Sequence, residues 1–398
     1  MGSAHFFFFM KTTSNFPFLV QGTPKGLGGI SVLYLIASEE ILFSWAQFCF
    51  YPFSDFSRFS RFHLSFFGSL TEPIDQILWT VLSPEESIFQ STTLEINFHG
   101  GPQILQSAKQ YLTQKGAEEL SMNGALIKTL GPLEGIAYQY MLSSTSSLAC
   151  DCFLQQAQGA LRRRLQKILQ DIEEKAFLRA ITALDALIET TPFGIALHTP
   201  QSFLLCGSTN VGKSFLFNRL LGEERSIVSP QEGTTIDLVR AQRLLNGFPI
   251  LLMDSAGFSE NPSALEKLGL EKTQKTILES LPIWVFDATH FKPEKMQQPF
   301  SSRGIYVANK ADLPHPDLPP EILLVSALSG EGVSSLEKQM AQFLPSIYPA
   351  EQGILFSLEH ARLLTQANRD LKQNQIQRTE DQIKLLLSKE NVDLRSFK

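Results

Sequence analysis

The hydrophobic pattern of the chain changes character along its length. Residues 10–115 carry short apolar runs bounded by turns rich in Gly and Ser, such as IDQILWTVLS and TTLEINFHGG, and the amphipathic stretch PQILQSAKQYLTQKGA, residues 102–117, begins near the end of this region. Short bounded runs predict β-strands, and apolar residues spaced three and four apart predict a helix. We therefore expect an α+β domain in this region.

Residues 116–198 and 348–398 have apolar positions at helical spacing, which predicts helices. Between them, residues 199–347 alternate amphipathic segments with the apolar runs SFLLC, FPILLMD, LPIWVFDA, RGIYVANK and EILLVSA. Strands that alternate with helices predict a doubly wound, mostly parallel sheet. Because the helical stretches flank this α/β domain, we expect them to form one discontinuous helical domain into which it is inserted.

Composition limits the classes of partner. The chain has 398 residues, of which 43% are hydrophobic and 19% charged, and its formal net charge is −6. This indicates a globular protein of several domains and argues against wholesale coating of nucleic acid or of an anionic membrane. Arg162, Arg163 and Arg164 lie in a predicted helix and cannot share one face, so we interpret them as a solvated polar face. An RNA phosphate contact is the alternative.

The cysteines Cys49, Cys150, Cys152 and Cys206 form neither a pair of CxxC motifs nor a cluster with His at zinc-ligand spacing. This indicates a reducing compartment, and we expect a cytoplasmic protein. No stretch reaches the roughly 18 apolar residues that a membrane span needs. The greasy segment AHFFFFM lacks the basic region of a signal peptide, and we expect Met10 to be the start of the biological chain.

The segment GSTNVGKS follows the apolar run SFLLC and precedes the helical run FLFNRLL, which is the context of a phosphate-binding loop. Backbone amides between Ser208 and Ser214 are expected to face phosphate oxygens. Lys213 is expected to reach the β- and γ-phosphates and Ser214 to coordinate Mg²⁺. The predicted nucleotide contacts of this segment are Asn210, Val211, Gly212, Lys213, Ser214 and Phe215.

Two further segments are predicted to sense the γ-phosphate. Asp254 ends the run PILLMD and is expected to hold Mg²⁺ through water, while the backbone of Gly257 is expected to lie near the γ-phosphate. In EGTTID, Thr235 is expected to complete the Mg²⁺ shell when the triphosphate is bound, with a polar turn as the alternative interpretation. Contacts made only to the triphosphate are typical of a nucleotide switch.

Two motifs near later strand ends select the base. ANKAD places Asn309, Lys310 and Asp312 in the pattern NKxD, and a carboxylate there can accept hydrogen bonds from N1–H and the 2-amino group of guanine. Adenine lacks both donors in that arrangement. One strand later, VSALSG places Ser326 and Ala327 to close over the base. Four motifs in this order, each at the carboxyl end of a predicted strand, predict a GTP site.

Taken with its flanking segments, the chain resembles the tRNA modification GTPase family called MnmE or TrmE. GTPKGLGGISVL is similar to the family's N-terminal folate-domain signature, TTLEINFHGGPQIL to its E-x-x-x-HGGP segment, and GPLEGIAYQYMLSSTS to the helix that opens its helical domain. The resemblance implies a folate-domain-like α+β unit at 10–115 and a P-loop GTPase domain at 199–347. That domain would be inserted in a helical domain made of 116–198 and a shortened 348–398.

The resemblance also implies hydrolysis that is activated by K⁺ and uses no arginine finger. Glu266 lies twelve residues after Asp254 and would orient the attacking water, with a solvated helix charge as the alternative interpretation. Thr234 would contact GTP beside Thr235. The residues implied for the potassium site and its loop are Asn210, Ser229, Gln231 and Thr234.

The family's wider role is implied in the same way. Its members act as homodimers with an FAD- and NADH-using partner protein of the MnmG (GidA) type. Together they install an aminomethyl-type group on C5 of the wobble uridine of certain tRNAs, and the carbon comes from a folate bound in the N-terminal domain. No membrane partner is expected.

The sequence departs from the family pattern away from the GTP motifs. Leu27 and Tyr34 occupy positions where the family has arginines, and leucine cannot make the bidentate contact of an arginine with a folate carboxylate. Ile236 replaces the arginine of the family's GTTRD, and no PGEFT-like stretch is recognisable between Gly116 and Gly131. The sequence ends NVDLRSFK without the family's Cys-Ile-Gly-Lys tail. The pattern favours GTP binding over tRNA modification.

Three hypotheses follow from this mixture. The chain is a divergent GTPase subunit of the tRNA-modifying complex. Alternatively, it is a GTP-controlled binding switch derived from this family, with a role in ribosome or RNA-protein assembly and no part in tRNA modification. The third hypothesis is a decayed or truncated copy that keeps the fold but little function.

Overall fold

The computed structural model describes residues 17–24, 28–52, 65–70, 74–222, 239–254, 280–291, 304–349 and 351–388. These residues form two compact units. The first unit takes its described residues from Met1–Gln139, Gln156–Gln170 and Ile376–Lys398, and the second takes them from Tyr140–Gln155 and Asp171–Gln375.

Helices account for most of the described residues in 116–198 and 348–398, the two regions where the spacing of apolar residues predicted helices. The described helices are α1 (Glu39–Cys49), α2 (Pro102–Gln114), α3 (Met122–Leu130), α4 (Pro132–Ser143), α5 (Ser147–Ala157), α6 (Ala160–Glu173), α7 (Phe177–Ile188), α8 (Thr191–Ala196), α9 (Lys213–Leu221), α10 (Val333–Ala341), α11 (Leu358–Lys372) and α12 (Ile376–Leu387). Within the described ranges, none of these helices combines the length and the apolar character that crossing a bilayer requires.

The first unit contains a sheet whose seven described strands lie in the order β3-β4-β5-β6-β2-β1-β7. These strands are β1 (Phe18–Gln21), β2 (Ile30–Ile36), β3 (Phe50–Pro52), β4 (Ser65–Leu70), β5 (Gln76–Leu82), β6 (Thr93–His99) and β7 (Glu118–Leu120). The described neighbours are antiparallel except β1 and β7, which pair in parallel. The apolar pattern did not predict β7, because a three-residue strand with two glutamates carries no alternation.

Alternate residues of the predicted strands β5 and β6 form the core of this unit. Ile77, Trp79 and Val81 of β5 are at most 2% exposed, and Trp79 lies opposite Ile96 of β6. Apolar residues of α1 and α2 belong to the same core: Leu42, Trp45, Ala108 and Leu112. The period of two in these strands therefore buries one face of the sheet under the two helices.

The second unit contains a sheet whose six described strands lie in the order β13-β12-β11-β8-β10-β9. These strands are β8 (Gln201–Cys206), β9 (Val239–Leu245), β10 (Phe248–Asp254), β11 (Leu281–Asp287), β12 (Ile305–Asn309) and β13 (Leu323–Leu324). All described pairs are parallel except β9 with β10. The mostly parallel sheet agrees with the prediction from alternating strands and helices.

Strand β9 is an element that the apolar runs did not predict. It is joined to β10 by Asn246 and Gly247, which have φ values of 50° and 83°. An Asn-Gly pair between two strand-like runs is the strongest short-range signal of a hairpin, because both residues tolerate positive φ. The signal was therefore present in the sequence.

Contacts inside the second unit join segments that precede and follow its sheet. Leu355 N donates to Thr190 Oγ1 at 3.0 Å, and a ring nitrogen of His198 lies 3.0 Å from Phe356 O. Helix α11 packs against α7. The chain entering the sheet and the chain leaving it are therefore held side by side.

The interpretation of the three arginines as a solvated face is wrong for Arg162. In the first unit its Nε and Nη2 donate to the two carboxylate oxygens of Glu134 at 2.6 and 2.7 Å, and its Nη1 donates to Leu387 O at 2.7 Å. Arg163 donates to Gln158 O. Hydrogen bonding to Glu134 raises the pKa of Arg162. A buried acid on a distant part of the chain, which no helical pattern shows, thus determines the role of this arginine.

Candidate nucleotide-binding site

The predicted nucleotide residues meet at the carboxyl edge of the parallel strands in the second unit. Strands β8, β10 and β12 all run in one direction, so their carboxyl ends lie at the same edge of the sheet. Residues 207–212 connect the end of β8 to the start of α9. Asp254 is the last residue of β10 and Asn309 the last residue of β12.

Glycine is required at both ends of the loop 207–212. Gly207 has a φ of 145°, and a Cβ there would lie 2.2 Å from Val285 O. Gly212 has a φ of 91°, and a Cβ there would lie 2.3 Å from the Nδ2 atom of Asn309. Asn210, between them, also has a positive φ of 64°. The backbone can take this path only with residues that tolerate the left-handed region and close approach.

Lys213 donates hydrogen bonds from its side chain to backbone carbonyls of the loop 207–212. Its side chain is buried, with 7% exposure, and its Nζ donates to the carbonyl oxygens of Gly207 and Ser208 at 2.9 and 2.8 Å. It begins helix α9, whose positive end faces the same loop. The arrangement concentrates positive charge and backbone amides where a polyphosphate can be bound.

Ser214 and Asp254 form a pair that fits a divalent cation. The Ser214 hydroxyl donates to Asp254 Oδ2 at 2.6 Å. Asp254 is 2% exposed, and its Oδ1 has no hydrogen-bond partner among the described residues. A buried carboxylate oxygen without a partner is costly unless a ligand satisfies it. Hydroxyl and carboxylate oxygens are the donors that Mg²⁺ prefers, so these residues fit Mg²⁺.

Asn309 connects the phosphate loop to the segment predicted to cover the base. Its Nδ2 donates to Val211 O at 2.8 Å, and its Oδ1 accepts from Ala327 N at 2.9 Å. Asn309 is 3% exposed, so both bonds are shielded from water. Loss of this side chain would leave two buried backbone groups unsatisfied.

Hydrogen bonds also order the residues of the predicted base site. The Ser326 hydroxyl donates to Asp312 Oδ1 at 2.5 Å, and Lys310 Nζ pairs with Asp287 Oδ2 at 2.6 Å. Burial raises the pKa of Asp287, but hydrogen bonds from Lys310 and Thr289 lower it by more, so its pKa lies below the usual 3.8. The lysine and the aspartate of NKxD therefore each have a fixed neighbour.

The sequence analysis missed Arg219 and Asp287. Arg219 Nε donates to Ala327 O at 2.9 Å, and its Nη2 donates to Leu328 O. Asp287, the last residue of β11, holds Lys310. Neither residue belongs to a short nucleotide motif. A basic residue near the end of the helix that begins with Lys213 was the available signal for Arg219.

The predicted residues divide into those that the structure brings together and those outside the described ranges. Val211 is buried in the core of the second unit, Phe215 is 68% exposed, and Asn210 is exposed. The residues that lie outside the described ranges are Ser229, Gln231, Thr234, Thr235, Gly257 and Glu266.

Comparisons with known proteins find GTPases. The family model described as "50S ribosome-binding GTPase" matches residues 202–310. The chain is 27% identical to the tRNA modification GTPase MnmE of Flavobacterium psychrophilum over 372 residues, covering 81% of this chain and 80% of that protein. It is 29% identical to the MnmE of Thermus thermophilus, covering 69% of each chain. It is 26% identical to the MnmE of Lactiplantibacillus plantarum, covering 91% of this chain and 89% of that protein.

Solved structures include a partial likeness. A structure of Era in complex with MgGDPNP and nucleotides 1506–1542 of 16S ribosomal RNA is 25% identical, covers 42% of this chain and 66% of that chain, and has a TM-score of 0.28.

Proposed function

Since this chain is a GTP-hydrolysing member of the MnmE/TrmE family of GTPases, we propose that it cleaves GTP to GDP and phosphate with Mg²⁺ and K⁺ in the service of tRNA modification. The observation that carries the catalytic part is the pairing of Ser214 with the buried Asp254 beside Lys213. The described residues proposed to bind the phosphates, Mg²⁺ and guanine all belong to one edge of one sheet.

The proposed contacts with the phosphates of GTP are based on the loop 207–212 and Lys213. Lys213 would exchange its two carbonyl partners for β- and γ-phosphate oxygens, and the backbone amides of the loop would bind the remaining oxygens. Ser214 and Asp254 would hold Mg²⁺, which supplies charge neutralisation for the triphosphate when it is bound. Water then attacks the γ-phosphorus in line, the bond to the β-γ bridging oxygen breaks, and GDP leaves with that electron pair.

The base end follows from Asp312 and the loop closed by Ser326. The two carboxylate oxygens of Asp312 would accept hydrogen bonds from N1–H and the 2-amino group of guanine, and one of them, Oδ1, also accepts from the Ser326 hydroxyl. Ala327 would lie over the base edge, since its amide is fixed by Asn309. This arrangement selects guanine because a carboxylate cannot satisfy the acceptor N1 of adenine.

The potassium site and the water-orienting residue are supported by the family resemblance. Asn210, with its positive φ, would contribute to K⁺ binding together with Ser229, Gln231 and Thr234. Glu266 would orient the attacking water.

Two contacts that would form only when the triphosphate is bound are also supported by the family resemblance. Thr235 would complete the Mg²⁺ shell, and the backbone of Gly257 would contact the γ-phosphate. These assignments keep the roles that the family motif gives to matching positions.

The biological reaction is proposed from the curated relatives. Each is named a tRNA modification GTPase, and we extend that activity to this chain as C5 modification of the wobble uridine in tRNA. A homodimer working with an FAD-dependent partner of the MnmG type would carry it out. The boundaries 10–115, 116–198, 199–347 and 348–398 remain our proposal for its domains.

One observation favours the second candidate, a GTP-controlled binding switch without tRNA modification. Tyr34 stands where the family has an arginine, and its ring packs edge-on against Phe89 with centroids 5.7 Å apart. Burial, and then the charge of Glu95, raise the pKa of Tyr34, so the phenol stays uncharged. A neutral phenol beside a carboxylate does not fit the anionic tail of a folate.

The test is GTP hydrolysis by the purified chain in K⁺ and in Na⁺, with and without the FAD-dependent partner of the same organism. Faster hydrolysis in K⁺ that the partner raises further supports the tRNA-modifying complex. Guanine nucleotide binding without a response to K⁺ or to the partner supports the switch. Loss of the modified wobble uridine on deletion of the gene provides the second measurement.

A further inference from the structure

We propose that Arg219 is a positioning residue for guanine recognition, because it attaches the base-covering loop 326–331 to the helix that binds phosphate. The inference rests on the proposed GTP site. It adds a residue outside the four motifs and gives it a role in base selectivity.

The loop 326–331 is a compact turn closed by its own hydrogen bonds. Ser326 N donates to Glu331 O at 2.9 Å, Gly330 N donates to Ser326 O at 2.8 Å, and Ser329 N donates to the Ser326 hydroxyl at 3.0 Å. Gly330 has a φ of 91°. The residues of this turn are therefore held together, and the bonds from the rest of the unit to the turn help to decide where Ala327 and Ser326 lie.

Arg219 makes an attachment at the carbonyl side of this turn. Its guanidinium donates to Ala327 O at 2.9 Å and to Leu328 O, so two neighbouring carbonyls share one planar donor group. Leu328 is 70% exposed, so its side chain does not anchor the loop by packing. A planar fork that holds two acceptors fixes orientation as well as position.

Ala327 is consequently held from both sides. Asn309 accepts its amide hydrogen at 2.9 Å, and Arg219 donates to its carbonyl. Arg219 lies on α9, six residues after Lys213, so the phosphate-binding helix itself sets the position of the loop. Ser326, on the same turn, holds Asp312 at 2.5 Å. Removal of Arg219 should therefore loosen the acceptor that reads the guanine amide.

The prediction is a loss of base selectivity with little change in phosphate binding. In Arg219→Met, the affinity for GDP should fall about tenfold while that for ADP changes by less than about twofold, the sizes expected for one charge-assisted contact and for independent sites. The GDP affinity of Arg219→Lys should lie between those of wild type and Arg219→Met, because one ammonium group cannot hold two carbonyls in a plane.

Arg243→Met is the matched control. Arg243 also donates to a backbone carbonyl, that of Leu220, and pairs with Glu337 Oε1 at 2.7 Å, and none of its hydrogen bonds among the described residues goes to the loop 326–331. Its loss should lower the thermal midpoint and leave the ratio of GDP to ADP affinity unchanged. The control therefore separates loss of stability from loss of selectivity.

The experiment measures displacement of N-methylanthraniloyl-GDP from the full chain by GDP, IDP and ADP, for wild type and the three variants. A lower ratio of GDP to ADP affinity in both Arg219 variants, with a normal ratio in Arg243→Met, supports the proposal. A normal ratio in Arg219→Lys and Arg219→Met overturns it. A wild-type protein that does not prefer GDP over ADP overturns the proposed GTP site instead.

Discussion

The two sheets of the molecule differ in how much their sequence reveals about a site. In the second unit the strands β8, β10 and β12 are parallel, so three motifs far apart in sequence end at one edge. In the first unit the described strands are mostly antiparallel, so successive strand ends lie at opposite edges. Motif order alone therefore suggests a candidate site in the parallel sheet and suggests none in the antiparallel sheet.

The first unit nevertheless brings two of its glycine-rich segments together. Gly100 N donates to Gly29 O at 2.9 Å, and a Cβ on Gly100 would lie 1.5 Å from Gly28 O. Resemblance to a family singled out both segments, and the apolar pattern predicted the strand that precedes Gly100, but neither predicted that the two segments meet. Which backbone segments of an antiparallel sheet come into contact depends on the register of its strands, and residue type alone does not determine that register.

The largest expected effect is the loss of GTP hydrolysis when the proposed Mg²⁺ ligand Asp254 of the second unit is changed. Asp254→Asn removes the charge that would hold Mg²⁺ and should slow GTP hydrolysis by about 10²–10³-fold, the usual size for loss of one electrostatic group in a site. The amide keeps the shape and removes a buried charge, so the thermal midpoint in EDTA should not fall. Steady-state hydrolysis and thermal unfolding test this, with the exposed Asp317→Asn as the control. Normal hydrolysis in Asp254→Asn would refute the assignment.

The next effect concerns the glycine contact in the first unit. Gly100→Ala should lower the free energy of unfolding of that unit by about 3 kcal/mol or more, because the new methyl group meets the backbone of Gly28. Gly29→Ala is the matched control, since a Cβ there meets no atom of the described residues within 4 Å. GDP affinity should not change in either variant, because the nucleotide site lies in the second unit.

The measurement can report the first unit alone. The chain has three tryptophans, of which Trp45 and Trp79 lie in the first unit, so Trp284→Phe removes the fluorescence of the second. Urea unfolding in that background should show an earlier transition for Gly100→Ala than for Gly29→Ala. Equal transitions would contradict the close approach of the two glycine segments.

A smaller effect is a dependence of the second unit on pH. His360 is 2% exposed, its Nδ1 has no partner among the described residues, and burial lowers its pKa from 6.5 to about 4. The unfolded chain binds this proton below about pH 6.5 and the folded chain does not, so stability falls as the pH drops from about 6.5 towards 4. The loss between pH 7 and pH 5 should be about 2 kcal/mol.

His360→Leu should remove this acid sensitivity, because leucine does not titrate. The exposed His315→Leu should keep it. The difference between urea midpoints at pH 7 and pH 5 measures the effect in all three proteins. The same pH dependence in wild type and His360→Leu would assign the acid sensitivity to other groups.

The smallest expected effect is on the turn before β5. Asp75 accepts the backbone N–H of His99 at 2.7 Å and lies 2.8 Å from its Nδ1. Asp75→Ala should lower the stability of the first unit by about 1 kcal/mol, the net value of such hydrogen bonds. The exposed Glu85→Ala serves as its control. Tryptophan fluorescence in the Trp284→Phe background again reports the result, and no change in Asp75→Ala would show that the contact contributes nothing.

Local patterns predicted which residues meet at the carboxyl edge of the parallel sheet where the meeting depends on residue type and on strand direction. The motif residues Lys213, Ser214 and Asp254 come together because parallel strands align their ends. Arg219 and Asp287 were not predictable in this way, because their roles depend on carbonyls and side chains brought close by tertiary packing. The same reason explains why Arg162 was interpreted wrongly.

The fold was predictable to a similar extent. Long amphipathic helices and apolar parallel strands have strong periodicity, so the pattern predicted them well. β7 has three residues and pairs at an edge, so it has no pattern of its own. β9 carries its signal in the two turn residues Asn246 and Gly247. The position of the three-residue strand β7 thus depends on the strand with which it pairs.

We propose that the parallel edge of the second unit is a guanine-specific site for GTP hydrolysis. The most direct measurement compares the initial rates of GTP and ATP hydrolysis by the purified full chain in K⁺ and Mg²⁺, beside Lys213→Met. We expect wild type to hydrolyse GTP and not ATP, and Lys213→Met to hydrolyse neither. Equal rates with GTP and ATP would rule out guanine specificity, and equal rates in wild type and Lys213→Met would rule out hydrolysis at this edge.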